Sequence, residues 1–324
     1  MSVIAKGRIA MSGFGLADGA DGADGADGAD GADGAATSGV VAGRISPLIR
    51  PIGISPALEK RTNEDWFRGT RWPPFDVSAG FPRTTCNSFP DGAWSSYHFS
   101  IVVLGEFVKV QGWDTIDLQA VAPIPTGAGL KAELDELQEL VDYRAGVMAE
   151  ALAQMNKIDL YFSGLLMFNR SSHPATYRLV QSALRVAQFV AMHYKFNPGR
   201  QPGSTSPMPP RPRASQLSLA LMPPIDVPGH ASYPSGHSTE ANMLASILAQ
   251  VMPQAASTPI DAADPESTPL RRVAQRIARN REVLGLHYPS DSKAGKHLGE
   301  TAATLLLPCP TVTKLVAAAK SEWS

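Results

Sequence analysis

The chain has 324 residues, 44 % apolar composition and a net charge of −1, from 29 basic and 30 acidic residues. This length suits one large domain or two small ones, and the near-neutral charge argues against a nucleic-acid partner or an anionic membrane surface. No window approaches the ~18 uninterrupted apolar residues of a membrane helix, so no transmembrane segment is predicted. The two cysteines, Cys86 and Cys309, are too far apart in sequence to indicate a disulfide framework or a zinc site.

The first 43 residues are predicted to be a disordered low-complexity segment. Residues 17–34 repeat Ala-Asp-Gly, which cannot bury apolar surface and loses much entropy when ordered. Without its six aspartates, the remaining chain has 29 basic and 24 acidic residues, a mild surplus that suits a small anionic substrate. A short apolar run near the start is interrupted by Gly13 and Gly15. A cytoplasmic location is therefore predicted, with export as the alternative.

The next region, 44–127, is rich in Pro, Gly and aromatic residues and is predicted to be a loop-rich wrap with a β-like run at Ile101–Val110. From residue 128 onward, apolar residues recur at the three- and four-residue spacing of amphipathic helices. The first such helix is predicted over 130–152. Near its start three acidic residues are predicted to form a solvated face: Glu133, Asp135 and Glu139. Further helices are predicted over 157–169, 175–195, 238–252, 267–284, 291–306 and 310–320. The predicted fold class is all-α, a helical bundle over 128–324 with long Pro-rich connections.

The sequence Pro-Ser-Gly-His at 234–237 immediately precedes a predicted helix. The start of a helix offers unpaired backbone N–H groups and the positive end of the helix dipole, which together bind anions. Gly236 allows close backbone approach, Ser235 adds a hydroxyl, and His237 can transfer a proton near neutral pH. The turn is therefore predicted to bind an anion.

A second stretch places Arg281, His287 and Asp291 at the spacing R-x5-H-x3-D. A carboxylate four residues after a histidine, across a Pro-Ser turn, can accept from the imidazole and fix its tautomer. The other ring nitrogen is then available as a nucleophile or ligand. The guanidinium adds a permanent charge with a fork that suits phosphate-like oxygens.

A third stretch supplies cations around a proline-rich connection at 198–212. Lys195 ends a predicted helix, and Arg211 and Arg213 follow the prolines. Cations gathered opposite a helix N-terminus stabilise a tetrahedral or trigonal-bipyramidal oxyanion.

Together these stretches resemble the three-part signature of the type 2 phosphatidic acid phosphatase and vanadium haloperoxidase superfamily: K-x6-RP, PSGH and SR-x5-H-x3-D. The resemblance covers about residues 130–307. The second part matches in full, and the third has Asn280 in place of Ser. The first part departs, since Lys195 and Arg213 are eighteen residues apart and Ala214 follows the arginine. We assign Arg213 as the motif arginine because RPRASQ followed by PP resembles soluble members; Arg211-Pro212 is the alternative.

The resemblance implies a helical catalytic domain over 128–324 of the acid phosphatase and vanadium haloperoxidase type. It implies that His237 protonates the leaving oxygen and that His287, oriented by Asp291, attacks phosphorus. In haloperoxidases the same pocket holds vanadate, and His287 would ligate the vanadium. The residues implied to hold the oxyanion are Lys195, Arg213, Ser235, Gly236 and Arg281; His230 and Arg211 are candidate pocket-lining residues.

Two enzyme functions therefore stay open. The first is a phosphatase for phosphomonoesters that needs no cofactor or metal, and the second is a vanadate-dependent haloperoxidase. A non-catalytic interaction protein with the same fold is a third reading, which the intact histidines, aspartate and arginines disfavour. The predicted partner is a small anionic substrate, without nucleic acid; a homo-oligomer is left open.

Overall fold

A computed structural model of the chain describes residues 94–155, 157–196 and 210–324. Within these ranges the chain forms helices, turns and loops, with no strand. The predicted all-α fold class is thereby confirmed. The predicted disordered segment 1–43, most of the predicted wrap 44–127 and nearly all of the Pro-rich connection 198–212 lie outside the described residues.

The helices are numbered here in chain order. The α-helices of the described ranges are α1 Ser96–Phe107, α2 Leu118–Val121, α3 Ala128–Glu139, α4 Arg144–Met155, α5 Ile158–Leu166, α6 Pro174–Phe196, α7 Ala214–Leu217, α8 Gly236–Leu248, α9 Pro269–Val283, α10 Pro289–Leu306 and α11 Pro310–Lys320. Short 3-10 helices span Val141–Tyr143, Leu219–Leu221 and Gln254–Ser257. None of the described helices is by itself long and apolar enough to cross a bilayer; α10 and α11 pass that test only as a pair bent by 94°.

Helix α8 is the central element of the bundle. It packs against α6, α9 and α10, and every one of its residues except Ser246 is buried. Its buried hydroxyl groups bond to carbonyl oxygens, since Ser238 Oγ donates to the Ser292 oxygen at 2.7 Å and Thr239 Oγ1 to the Ser235 oxygen at 2.8 Å. A helix that is buried on all sides holds its N-terminus rigidly, and this N-terminus carries the Pro-Ser-Gly-His turn.

Two glycines let α10 approach α8 closely. A Cβ added at Gly295 would lie 2.5 Å from the Ser235 oxygen, and one at Gly299 would collide with the Thr239 oxygen. The glycines are four residues apart and therefore lie on one face of α10. This close packing holds the start of α10, with Asp291, against the start of α8.

The β-like run predicted at Ile101–Val110 is wrong, because most of it lies in helix α1. Its β-branched residues suggested a strand, yet Val103 and Phe107 are fully buried while Ile101 and Val102 are 45 % and 44 % exposed. Burial at a spacing of four residues is the pattern of a helix face. Tertiary packing has overridden the local propensity here.

The single helix predicted over 130–152 is divided into α3 and α4 by the 3-10 turn Val141–Tyr143. The two halves pack against different cores. Leu137 of α3 packs in a cluster with Tyr288, whereas Ala151 of α4 packs with Leu284 and Leu286. One straight helix cannot reach both clusters, so the apolar stripe is shared between two helices.

Helix α6 carries Lys195 in its last turn, and its first turn is held by the C-terminal region. The Glu322 carboxylate accepts the backbone N–H groups of Ala175 and Thr176 at 2.7 and 2.9 Å. A carboxylate at a helix N-terminus satisfies otherwise unpaired N–H groups and complements the helix dipole. The helix is thus fixed at the end far from Lys195.

Candidate active site

The Pro-Ser-Gly-His turn forms the start of helix α8. Ser235 is the N-cap residue, and its hydroxyl accepts the Ser238 N–H at 3.4 Å. The Ser235 N–H donates to the Asp291 backbone oxygen at 3.0 Å, which ties the turn to the start of α10. A Cβ added at Gly236 would lie 3.9 Å from Lys195 Cε. The positive end of α8 and a lysine side chain therefore lie side by side.

Lys195 is a buried cation, with only 4 % of its surface exposed. Its ammonium donates to the backbone oxygens of Ala231 and Ser232 at 2.8 and 3.3 Å. These carbonyls immediately precede the Pro-Ser-Gly-His turn, so they hold the ammonium at the mouth of helix α8.

Arg213 is 2 % exposed and lies between two histidines. Its Nη2 is 3.0 Å from His230 Nδ1, and its Nη1 is 3.4 Å from His287 Nε2. Two carbonyls fix the guanidinium in this position: Nη1 donates to the Leu286 oxygen at 2.8 Å and Nε to the His230 oxygen at 3.3 Å. The fork therefore lies directly beside the imidazole of His287.

Arg281 lies in the last turn of α9 and is 1 % exposed. Its Nη2 donates to the Ala151 oxygen at 3.0 Å, while Nε and Nη1 are buried without a hydrogen-bond partner among the described residues. Burial lowers the pKa of Arg281 to about 10, against the opposing charge of Glu240. The side chain is still cationic at neutral pH. A buried donor without an acceptor costs about 1–3 kcal/mol, so this guanidinium is suited to an anion that accepts from it.

His287 and Asp291 lie across the Tyr288-Pro289 turn from each other. His287 Nδ1 is 3.4 Å from Asp291 Oδ2, which also accepts the Tyr288 N–H at 3.0 Å. With Nδ1 toward the carboxylate, Nε2 is the ring nitrogen toward Arg213. Burial lowers the pKa of His287 well below its usual value, and the charges of Arg213 and Lys195 lower it further, with smaller contributions from other neighbouring side chains. The imidazole is therefore neutral near pH 7 and has a nucleophilic lone pair.

His237, the histidine of the Pro-Ser-Gly-His turn, is 5 % exposed. It bonds to the backbone of Met155, and its Nε2 is buried without a partner among the described residues. Burial lowers the pKa of His237 well below its usual value; the charge of Arg281 lowers it further, as does His287 when it is protonated. A bound anion would oppose these effects because a negative charge favours the protonated ring.

These side chains surround one small cavity of about 20 Å³. That volume is little more than one water molecule needs, so most of a substrate would extend to the rim. We call the three cations around it, Lys195, Arg213 and Arg281, the cationic pocket. The cavity is also lined by His230, Gly236, His237, Leu286 and His287, and by Met155, Met192, Ile225, Asp226 and Pro228.

Arg211 lies outside this lining. Its guanidinium bonds Asp291 on the side opposite His287, at 2.7 Å from Oδ1, and also bonds Glu133 at 2.6 Å. Sequence spacing could not distinguish it from Arg213, because the two arginines are separated by a single proline. In the structure one arginine lies beside the His287 ring, and the other lies behind the carboxylate.

The sequence analysis missed two charged residues at this site: Asp226, which lines the cavity, and Glu133. Glu133 was predicted to lie on a solvated face, and that prediction is wrong: its side chain is 12 % exposed and also accepts the Ser290 N–H at 2.7 Å. Asp135, two residues later, is 52 % exposed and pairs with Lys131. Nothing local separates these two carboxylates; only the packing of α3 against the start of α10 does.

No set of three or more His, Cys, Asp or Glu side chains in the described part of the chain is arranged to hold a metal ion. The polar side chains around the cavity are instead mainly cationic or imidazole groups, a donor set that suits an oxyanion.

Comparison with known proteins finds limited similarity to bacterial phosphatases. No family model matches the chain. It is 30 % identical over 91 residues to a non-specific acid phosphatase of Salmonella typhi, covering 28 % of this chain and 32 % of that protein. It is 28 % identical over 93 residues to the non-specific acid phosphatase of Salmonella typhimurium, covering 29 % and 33 %. The chain therefore matches about a third of the length of these relatives.

Proposed function

We propose that the protein is a phosphatase that hydrolyses phosphomonoesters through a phosphohistidine formed on His287. One observation carries this proposal: the cationic pocket and the N-terminus of α8 converge on a buried cavity at which His287 Nε2 lies 3.4 Å from Arg213 Nη1. A neutral nucleophile beside fixed cations suits attack on a phosphoryl group, because the charge that develops on its oxygens meets donors already in position.

The relatives support phosphatase chemistry in general. Both are named as non-specific acid phosphatases, and the similarity extends over nearly 30 % of this chain. The finer steps proposed below rest on the geometry of the site and on the motif resemblance.

In the first step, His287 Nε2 would attack phosphorus while the ester P–O bond breaks. His237 would donate a proton to the leaving alcohol oxygen, and Asp291 would stabilise the positive charge on the phosphorylated ring. Lys195, Arg213 and Arg281 would hold the non-bridging oxygens. Since the cavity is only about 20 Å³, the alcohol part would lie at the rim.

In the second step, water would attack the phosphohistidine. His237, now neutral, would take a proton from this water as the new P–O bond forms and the P–N bond breaks. Inorganic phosphate leaves, and both histidines return to their starting states. The step needs no co-reactant besides water.

The haloperoxidase alternative has no observation of its own in its favour. The donors that suit phosphate also suit orthovanadate, which His287 Nε2 would ligate while Lys195, Arg213 and Arg281 hold its oxygens. Vanadate would supply a Lewis-acidic centre for peroxide. The same fit makes orthovanadate a useful probe of the phosphatase, as a competitive inhibitor.

The direct test is hydrolysis of p-nitrophenyl phosphate by the full chain and by His287→Asn. We expect the variant to lose activity by about 10³-fold or more while keeping its circular dichroism spectrum. His98→Asn is the matched control, because that histidine is exposed and bonds to Ser95. Rapid acid-free quenching with ³²P-labelled substrate should trap an acid-labile, base-stable phosphoprotein in the wild type and not in His287→Asn.

Bromide oxidation by hydrogen peroxide, assayed after addition of orthovanadate, tests the alternative on the same preparation. If the wild type is a phosphatase and His287→Asn keeps that activity, the assignment of His287 as the nucleophile is overturned. Peroxidase activity without phosphatase activity would overturn the proposed function.

A further inference from the structure

Behind the site is a largely buried group of side chains, which we call the Arg211 cluster: Glu133, Arg211, Ser290 and Asp291. Of these, the reaction steps use only Asp291. Arg211 Nη1 donates to Asp291 Oδ1 at 2.7 Å and to Ser290 Oγ at 2.6 Å, and Nη2 donates to Glu133 Oε2 at 2.6 Å. The guanidinium carbon lies 3.7 Å from the centre of the Tyr288 ring. The Arg211 guanidinium is thus fixed by three side-chain hydrogen-bond partners and by stacking on the Tyr288 ring.

These contacts are shielded from water. The side chains of Arg211, Glu133 and Asp291 are 3 %, 12 % and 0 % exposed. Glu133 also accepts the Ser290 N–H at 2.7 Å, so helix α3 is bonded to the first turn of α10 as well as to the arginine. At such burial each charge is screened little by solvent, and breaking the pair leaves an uncompensated buried charge.

The two oxygens of Asp291 serve different partners. Oδ1 accepts from Arg211, while Oδ2 faces His287 Nδ1 and accepts the Tyr288 N–H. The carboxylate therefore cannot rotate toward or away from the imidazole without losing the bond to Arg211.

We infer that Arg211 and Glu133 are positioning residues for the His287–Asp291 pair, which orient the Asp291 carboxylate and set how much of its charge reaches the imidazole. Neither residue touches the cavity, so both act through Asp291. The effect on turnover rests on the proposed function; the effect on the imidazole does not.

Removing the charge of Arg211 and removing that of Glu133 should have opposite effects on the protonation of His287, because Asp291, Arg211 and Glu133 follow one another with alternating charge. Arg211 draws the negative charge of Asp291 away from His287, so removing its charge should favour the protonated ring. Glu133 compensates Arg211, so removing the Glu133 charge should disfavour the protonated ring. The other titratable and charged groups around the cavity of His287 are the same in every variant: Lys195, Arg213, Asp226, His230, His237 and Arg281.

The test uses Arg211→Gln and Glu133→Gln in the full chain, with the pH dependence of kcat/KM for p-nitrophenyl phosphate as the readout. We expect kcat/KM to fall about 10-fold in each, the loss typical of groups that orient a reacting histidine. The acid limb of the profile should move to higher pH in Arg211→Gln and to lower pH in Glu133→Gln. Arg211→Lys, which keeps the charge but loses the planar fork, should lose rate with little movement of the limb.

Two matched controls separate this role from a general effect of charge. Asp135→Asn changes an exposed carboxylate of the same helix as Glu133, and Arg272→Gln changes an exposed arginine paired with Asp264. Both should keep the wild-type rate and profile. A role limited to structural support would lower the yield of folded protein without moving the acid limb in opposite directions.

A readout independent of activity is the ring ¹⁵N titration of His287 by long-range ¹H–¹⁵N correlation, assigned by its loss in His287→Asn. Opposite displacements of this titration in Arg211→Gln and Glu133→Gln support the inference, even if the wild type hydrolyses no phosphomonoester and the proposed function fails. The inference is overturned if His287 titrates at the same pH in both variants as in the wild type, or if both variants displace its titration in the same direction.

Discussion

Arg211 and Arg213 are two residues apart in sequence and lie on different sides of the His287–Asp291 turn. Arg211 bonds two carboxylates, those of Glu133 and Asp291. Arg213 is held by carbonyl oxygens and lies beside two histidines. One side of the His287–Asp291 turn is therefore a neutralised cluster, and the other is a pocket that gathers positive charge.

The pKa values of the arginines express the same difference. Burial alone would lower the pKa of Arg211, but Asp291 and Glu133 outweigh it, so the pKa is raised. Burial lowers the pKa of Arg281 to about 10, and only the charge of Glu240 opposes it. An arginine neutralised by two carboxylates, such as Arg211, supports structure, whereas Arg281, which lines the cavity with little compensation, is suited to an anionic ligand. Four predictions test this distinction.

The largest effect is expected for Arg281→Met in the cationic pocket. Loss of this donor to the developing oxyanion should lower kcat/KM by about 10²- to 10³-fold. Arg272→Met, an exposed arginine on the same helix, is the control and should keep the wild-type rate. Activity within a few-fold of wild type in Arg281→Met would remove this arginine from the pocket's function.

Changes in the Arg211 cluster should instead lower the free energy of unfolding more than changes in the cationic pocket do. Arg211→Gln leaves two buried carboxylates without their cation, so the free energy of unfolding should fall by about 3–5 kcal/mol. Arg281→Gln removes a bond to the neutral Ala151 carbonyl and should cost about 1–3 kcal/mol. Urea unfolding at pH 7 measures both. A larger loss in Arg281→Gln than in Arg211→Gln would contradict the comparison.

Binding of orthovanadate should distinguish Arg213, in the cationic pocket, from Arg211. At 100 times its Kd it should stabilise the wild type by about 2.7 kcal/mol, seen as a rise in Tm. Arg211→Gln should keep this rise, while Arg213→Gln should lose it at the same concentration. A chelator such as EDTA should change neither result. Equal loss in both variants would mean that the Arg211 cluster also binds the anion.

Much of the site is predictable because its key spacings are local. In R-x5-H-x3-D and Pro-Ser-Gly-His, helix ends and tight turns fix where Arg281, His287 and Ser235 can lie. Helix positions follow from apolar periodicity in the same way. These predictions need no knowledge of what packs against each element.

The predictions that failed depend on distant contacts. The helix at 130–152 is divided because Leu137 and Ala151 belong to separate cores, and α1 is helical despite its β-branched residues. Glu133 and Asp135 are both acidic residues near the start of α3. Only the position of α10 makes Glu133 a buried partner of Arg211 and leaves Asp135 in solvent. The choice between Arg211 and Arg213 likewise needs the packing of Tyr288 and Asp291.

The smallest effect is a dependence of stability on pH that originates in the pocket. The pKa of His287 is well below its usual value in the folded chain because of burial and the neighbouring cations. The unfolded chain therefore binds a proton that the folded chain does not as the pH falls below about 6.5, and stability is lost on acidification, by at most about 1.4 kcal/mol per pH unit for one histidine.

Raised pKa values of buried carboxylates such as Glu282 act in the opposite direction, since their contribution to stability is lost as pH rises. The measurement is therefore the difference between wild type and His287→Gln in urea unfolding at about pH 7.5 and pH 5.5, because the carboxylates are common to both chains. The wild type should lose more stability on acidification than His287→Gln. Saturating inorganic phosphate should reduce the difference, because the bound anion compensates a protonated ring. Parallel pH dependences in the two proteins would mean that burial and the cations of the pocket do not lower the pKa of His287 in the folded chain, and the contrast between the two sides of the turn would then not hold.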